Sequence, residues 1–469
     1  MQPLLGRAPV YQALRKLQQE VLSLHMPGHK QGKRGSELLA NWLPDALSFD
    51  FTEIAELDSI HHPEGSLLEA EQLTAELYGA KTTYFTTNGS TAGLIGSLLA
   101  CAVPGSEVIV PRNAHICILS AIILGDLVPR FAQPTFQDGW PLGLTPLQLS
   151  EALSRYPEAR TVVLVTPSYE GVVGETDKMV QLARAAGCLV VVDEAHGAHL
   201  PFHPELPPSA VRSGADLVVQ SAHKTLSALT GGAWVHRLTD RLSDERVRSC
   251  LNLVQSTSPS WLILGSLDLA RLELAEQGQR LLQQVLANAR YLRTALLETG
   301  FTIWDAPLGR SFAQDPLKIN LMTSPRGVTG PELAMELAKQ GIYPELVRPD
   351  GVLFMLGLGD TRNEFQALLD CLRLIPAGEH FCNRPFGQPP IPELAVRPRE
   401  AYFAPSQWVP LCQAQGRVAA RPIYAYPPGT PLVYPGEKID ESLTTYALTV
   451  QSLGGDLVGV KGNHVAVVE

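Results

Sequence analysis

The chain has 469 residues, 45% of them hydrophobic and 18% charged, with a net charge of −10. That length is too great for a single core and predicts roughly three structural units; the composition excludes disordered and fibrous classes, and an acidic balance without a basic run argues against nucleic acid as a partner. Seven cysteines with no C-x-x-C pair argue against a zinc ribbon or disulfide framework and point to a reducing, cytoplasmic compartment.

The N-terminus has no charged segment leading into an apolar run, so it does not read as a secretory leader. Apolar stretches such as 116–124 fall far short of the ~20 residues a bilayer span needs, which predicts a soluble chain with no membrane partner. Residues 1–65 read as an N-terminal arm. A capping box, Ser66-Leu-Leu-Glu69, opens a helix that Gly79 stops. Strand patterns follow at 108–110, 161–165, 189–192, 217–219 and 233–235. Helical patterns lie between most of them, one opened by Thr145-Pro146. This alternation predicts an α/β domain over 66–259 with a mainly parallel sheet covered on both faces. The Pro-free segment 260–300 predicts one long or two abutting connecting helices. Strand patterns at 301–304, 318–322 and 352–355 and helical ones at 331–340 and 361–374 predict a smaller α/β domain over 301–380. The Pro-dense stretch 383–392 predicts an extended linker, 381–393, before a C-terminal α+β domain, 394–469.

Asp193 directly follows an apolar run, so in a parallel sheet it stands at a strand's carboxyl end, where open α/β sheets bind ligands. Lys224 also stands just past a short apolar strand. An acid to hold a protonated pyridine nitrogen and a lysine to form a Schiff base are the pair that pyridoxal 5'-phosphate requires. Between a strand pattern at 82–85 and a helical one at 92–102, the turn Thr86-Thr-Asn-Gly-Ser-Thr91 offers backbone N–H groups and the hydroxyls of Ser90 and Thr91 to a phosphate. A plain N-cap has the same composition. His115 opens another helix and suits either a structural role or stacking on a cofactor ring. His196 and His199 crowd with Asp193 and Glu194, but Gly197 and the lack of a second His or Cys cluster argue against a metal, and none is expected.

Taken together, Thr87-Asn-Gly-Ser-Thr91, Pro111-Arg-Asn-Ala-His115, Thr166-Pro-Ser-Tyr-Glu-Gly171, Asp193-Glu-Ala-His196, Ser221-Ala-His-Lys-Thr225 and Ser256-Thr-Ser-Pro-Ser260 resemble the signature series of the ornithine/lysine/arginine decarboxylase family. His25-Met-Pro-Gly-His-Lys-Gln-Gly32 and Tyr426-Pro-Pro-Gly429 through Glu437 extend the likeness over nearly the whole chain. The resemblance implies a type I pyridoxal-phosphate fold with a mainly parallel seven-stranded sheet, a smaller α/β domain and a C-terminal domain. By the same resemblance, Lys224 forms the Schiff base, Asp193 pairs the pyridinium nitrogen and His115 stacks on the ring. Gly89, Ser90, Thr91, Ser221 and His223 hold the phosphate, His196 lies close to the cofactor, and Thr257 reaches the phosphate of a partner subunit. A homodimer or larger even-numbered assembly is thereby implied. Glu437 matches a carboxylate that approaches the cationic end of the substrate. The implied reaction is decarboxylation of arginine or lysine, with ornithine less favoured, to an amine that feeds polyamine biosynthesis. Lys224, His223 and His196 all stand as donors of the proton returned to the α-carbon. Ile116-Cys117 and Gly231-Gly232 depart from the family's pattern. Two alternatives stay open: another type I reaction such as transamination, with Arg348 as a carboxylate ligand, and a non-catalytic regulatory homologue.

Overall fold

The computed structural model describes residues 8–20, 22–54, 56–307, 309, 311–379, 390–425, 429–452 and 457–469. Its main sheet has seven strands: β1 (Thr82–Thr86), β2 (Glu107–Pro111), β3 (Val128–Ala132), β4 (Thr161–Val165), β5 (Leu189–Asp193), β6 (Leu217–Gln220) and β7 (Ala233–Arg237). They lie in the order β1-β7-β6-β5-β4-β2-β3. β7 runs antiparallel to both neighbours, whereas β2–β3, β2–β4 and β5–β6 pair in parallel. Val190, Val191, Val192, Leu217, Val218 and Val219 are all fully buried, which is why these strands read as unbroken apolar runs. β3 escaped the sequence reading because Val128-Pro-Arg-Phe-Ala132 lies at the sheet edge, where Pro is tolerated and burial is intermittent.

The chain forms two compact units built from interleaved segments rather than consecutive blocks: Met1–Cys101, Val191–Pro204 and Ser209–Arg280, and Ala102–Val190, Glu205–Pro208 and Leu281–Glu469. The segment expected to hold one or two helices is a single helix, Trp261–Leu297.

In the first unit, the N-terminal helix Pro9–Glu20 begins with the N–H groups of Val10 and Tyr11 donating to the carboxylate of Asp268, at 2.9 and 3.4 Å. The helix Ser66–Tyr78 stops at Gly79, whose φ of 70° suits glycine. Its start corrects the capping-box expectation. Ser66 already lies inside the first turn, and Asp58 takes the N–H groups of Gly65 and Leu67 at 2.8 and 2.7 Å. A carboxylate brought in from outside the helix also answers its positive end.

In the second unit, Thr302–Trp304, Lys318–Met322, Gly351–Met355 and Leu346–Arg348 form an antiparallel sheet, with the helices Gly330–Ala338 and Arg362–Leu374. Further along, two three-stranded sheets and the helix Glu441–Ser452 enclose a core of Leu411, Ile423, Val433, Ile439, Leu443 and Val465. Most of the expected linker 381–393, and residues 426–428 of the Tyr-Pro-Pro turn, lie outside the described residues.

Candidate active site

Parallel strands end on the side of a sheet where ligands bind. β5 ends on Asp193, whose Cα pairs with Val219 of β6. Ser221 and the short helix Ala222–Thr225 follow β6 and carry His223 and Lys224. Lys224 Nζ lies 3.1 Å from Nε2 of His196, three residues beyond Asp193. Asp193 is buried, and its Oδ1 accepts from the N–H of Ala195 at 3.1 Å. An amine, an imidazole and a buried carboxylate thus belong to the turns that leave two adjacent parallel strands.

β1 leads into the helix Gly89–Cys101, which has no acid in its first turn. Gly89 has φ of 74°, and a Cβ there would meet nothing within 4 Å. A ligand can therefore approach the backbone closely. The Ser221 hydroxyl donates to Ser90 Oγ at 2.7 Å, joining this turn to the one that carries Lys224. The Gly89 N–H donates to Gly231 O at 2.8 Å. Gly231 itself has φ of 95°, and a Cβ there would stand 3.0 Å from Thr87 O. The Gly231-Gly232 departure is thus required by the close approach of this loop to the Thr87–Gly89 turn. His223 Nδ1 lies 3.0 Å from Gly232 O, so that nitrogen carries the proton and donates it. Thr257 sits in an exposed turn braced by the Ser258 N–H on Ser256 Oγ.

A buried polar chain that the sequence reading missed runs behind these turns. Glu194 is fully buried, and it accepts from Ala210 N–H at 2.6 Å, from the Ser209 hydroxyl at 2.8 Å and from Gln220 Nε2 at 2.7 Å. Gln220 Oε1 lies 3.1 Å from His236 Nε2, and His236 Nδ1 lies 2.8 Å from Thr83 Oγ1. Burial pushes the Glu194 carboxyl up to about 7 and His236 down to about 3. A polar residue closing the otherwise apolar run Leu217-Val-Val-Gln220 was the available signal.

In the second unit, His115 caps the helix Ile116–Gly125, its Nδ1 accepting from the Cys117 N–H at 3.2 Å. The proton is accordingly on Nε2. Because this bond uses the backbone, the Ile116-Cys117 departure leaves it intact. Glu437, matched by resemblance to a substrate-facing carboxylate, has partners of its own. It is wholly buried and paired through both oxygens with Arg112, at 2.6 and 2.8 Å, and it also accepts from Tyr434 N–H at 2.7 Å. The guanidinium lies against the adjoining rings of Phe131 and Tyr434, 4.6 and 4.9 Å from their centroids. Burial pushes the Glu437 carboxyl up against the pull of Arg112. Both oxygens of this carboxylate are thus engaged within the chain, with Arg112 as its ion-pair partner. Arg348, the alternative's carboxylate ligand, stacks 3.7 Å from the Trp140 centroid and bonds Asp350 and Gly139 O.

Sheet order and donor set together define a type I pyridoxal-phosphate enzyme. The residues fit that cofactor: an amine for its aldehyde, a buried acid for its ring nitrogen and an acid-free helix start for its phosphate. Family models for the Orn/Lys/Arg decarboxylase major domain and C-terminal domain match residues 8–309 and 380–462. The arginine decarboxylase of Bacillus subtilis is 33% identical over 452 residues, covering 93% of this chain and 92% of the relative. That of Halalkalibacterium halodurans is 34% identical, covering 91% and 89%. The lysine decarboxylase structure from Francisella novicida is similar in fold, with a TM-score of 0.85 at 20% identity over 98% of this chain and 81% of that one. The chain belongs to the Orn/Lys/Arg decarboxylase family, and pyridoxal phosphate is its cofactor.

Proposed function

We propose that this chain decarboxylates arginine, with lysine the second candidate and ornithine the third, releasing carbon dioxide and an amine that enters polyamine synthesis. Decarboxylation of a basic amino acid is the activity this family membership gives. The preference for arginine is supported by relatives of that name at 32–34% identity over about nine-tenths of the chain, against 23–24% for those named lysine decarboxylase. The observation that carries the reading is the 3.1 Å contact of Lys224 with His196 on the turn that begins at Asp193.

When bound, pyridoxal phosphate supplies an electron-accepting ring that takes up the pair left by the departing carboxylate. Lys224 would hold the cofactor through its amine, which His196 Nε2 meets at 3.1 Å. Asp193 holds a proton at the ring nitrogen, and its burial keeps water from weakening that charge. A single well-aimed group of this kind contributes on the order of 3 kcal/mol to the barrier. For the proton returned to the α-carbon, the contact with His196 favours Lys224 and His196 over His223, whose Nδ1 is tied to Gly232 O. Gly89, Ser90, Thr91, Ser221 and His223 take the phosphate. His115 is assigned to the ring face on resemblance alone. Thr257, exposed on its turn, would serve the site of a second copy, which makes the assembly a homodimer or larger even-numbered oligomer. Cys101, Cys117, Cys188 and Cys250 form no disulfide among the described residues, in accord with a cytoplasmic setting.

The test is to incubate the holoenzyme with arginine, lysine and ornithine separately and to measure carbon dioxide and identify the product. An amine one carboxylate smaller than arginine supports the reading. A keto acid without carbon dioxide release would replace it with transamination.

A further inference from the structure

The buried chain behind the strand ends has a fixed direction. Gln220 turns its amide nitrogen to Glu194 Oε2, which it meets at 2.7 Å. Its Oε1 therefore faces His236, which must donate through Nε2, and His236 Nδ1 is left to accept from the Thr83 hydroxyl. Every bond in the series Thr83, His236, Gln220, Glu194 points the same way, towards the residue next to Asp193.

Its last two members adjoin the two turns that matter. Glu194 lies in Asp193-Glu-Ala-His196, where its N–H donates to Val219 O and its C=O accepts from Gly197 N–H, both at 2.9 Å. A Cβ on Gly197 would stand 2.5 Å from Glu194 Cγ, so glycine there makes room for the buried side chain. Gln220 closes β6 immediately before Ser221, four residues from Lys224. The 2.7 Å bond between Glu194 and Gln220 therefore ties the Asp193–His196 turn to the segment that carries Lys224. The neighbouring Tyr78 hydroxyl faces away and donates to Ala198 O at 2.7 Å.

We propose that Glu194 and Gln220 are a positioning pair that sets the Asp193 and His196 turn against Lys224, with His236 and Thr83 fixing which way the Gln220 amide faces. This rests on the assignment of Lys224 and Asp193 to the cofactor. Neither member of the pair touches a reacting atom; each acts by holding those that do.

The pair is tested in the holoenzyme by Gln220→Glu, which keeps the shape and the acceptor for His236 but sets a second carboxylate against Glu194. The expected result is a kcat lower by roughly tenfold with KM changed less than about twofold, together with a moved visible absorption maximum of the bound cofactor. Exchanging the two, Glu194→Gln with Gln220→Glu, restores one donor facing one carboxylate. It should recover at least half of the lost kcat and return the absorption maximum towards the wild type. Where Gln220→Glu does not fold, Thr83→Val, remote from the reacting groups, gives the same readings, and the exchanged pair should stay near the wild type. Wild-type kcat and spectrum in Gln220→Glu or Thr83→Val, or an exchanged pair whose kcat is not recovered, overturns the proposal. The two readings fail separately: a wild-type protein that binds cofactor at Lys224 but decarboxylates no basic amino acid refutes the proposed reaction, and the spectra still test the pair.

Discussion

Lys224 is identified by what surrounds it. An amine 3.1 Å from an imidazole, on the turn that leaves a buried parallel strand, is placed to make an imine, and Lys224→Ala should remove the visible absorption band of the holoenzyme. A band that survives would move the attachment elsewhere. The role of Glu437 is tested at the same scale. Had it faced substrate, its loss would raise KM for diamino acids. Paired with Arg112 and wholly buried, it should instead lower stability when changed to Ala, since an unpaired buried charge costs about 3–5 kcal/mol. Denaturant midpoints and KM for arginine decide between the roles: a stable variant with a raised KM would return Glu437 to the substrate. The sequence displayed both residues but not their partnership, because the 112–437 pairing is a contact between distant segments that no local pattern encodes.

Elements carry the next set of consequences. The helix Ser66–Tyr78 takes its N-terminal partner from Asp58, whose two oxygens hold the N–H groups of Gly65 and Leu67. Asp58→Ala should cost about 1 kcal/mol of stability, while Ser66→Ala should change little, a contrast that thermal midpoints of the two variants can read. Within this element the stop was readable, because Gly79 has a conformation that few other residues accept. The start was not, because Asp58 stands well before Ser66 in the chain and only the path of the intervening residues puts it over the helix end. The strands show a similar division. β4 was read to the residue, since a strand buried over Thr161 to Leu164 is an unbroken run of β-branched and aliphatic residues. The edge strand β3 was missed, since half-exposure lets Pro129 and Arg130 interrupt the pattern.

At the scale of the whole molecule, the buried polar chain links stability to pH in two opposed senses. Glu194 is held protonated up to about 7 against an ordinary 4.5. Across that window the folded state binds more protons than the unfolded one, and stability falls as pH rises. His236, pushed down to about 3 from 6.5, is neutral in the fold while the unfolded chain would protonate it, so its contribution rises with pH over 3–6.5. Unfolding midpoints measured between pH 4.5 and 6.5 should therefore shift their slope in opposite directions: more positive in Glu194→Gln, more negative in His236→Gln. Slopes that move together would show that the two groups do not titrate as their burial requires.

The sequence alone determined the features that depend on local order. The buried strands, the glycine stop and the succession of a phosphate turn, an aspartate and a lysine each just past a strand are all fixed by neighbours along the chain, and they were enough to indicate the cofactor. Tertiary structure decided everything that depends on partners far apart in the chain: Arg112 as the partner of Glu437, Asp58 rather than Ser66 at a helix start, and the alignment of Thr83, His236 and Gln220 towards Glu194. Burial explains the division. Removed from water, a polar group must find a partner wherever the fold brings one, and the fold, not the spacing of residues, decides which one it meets.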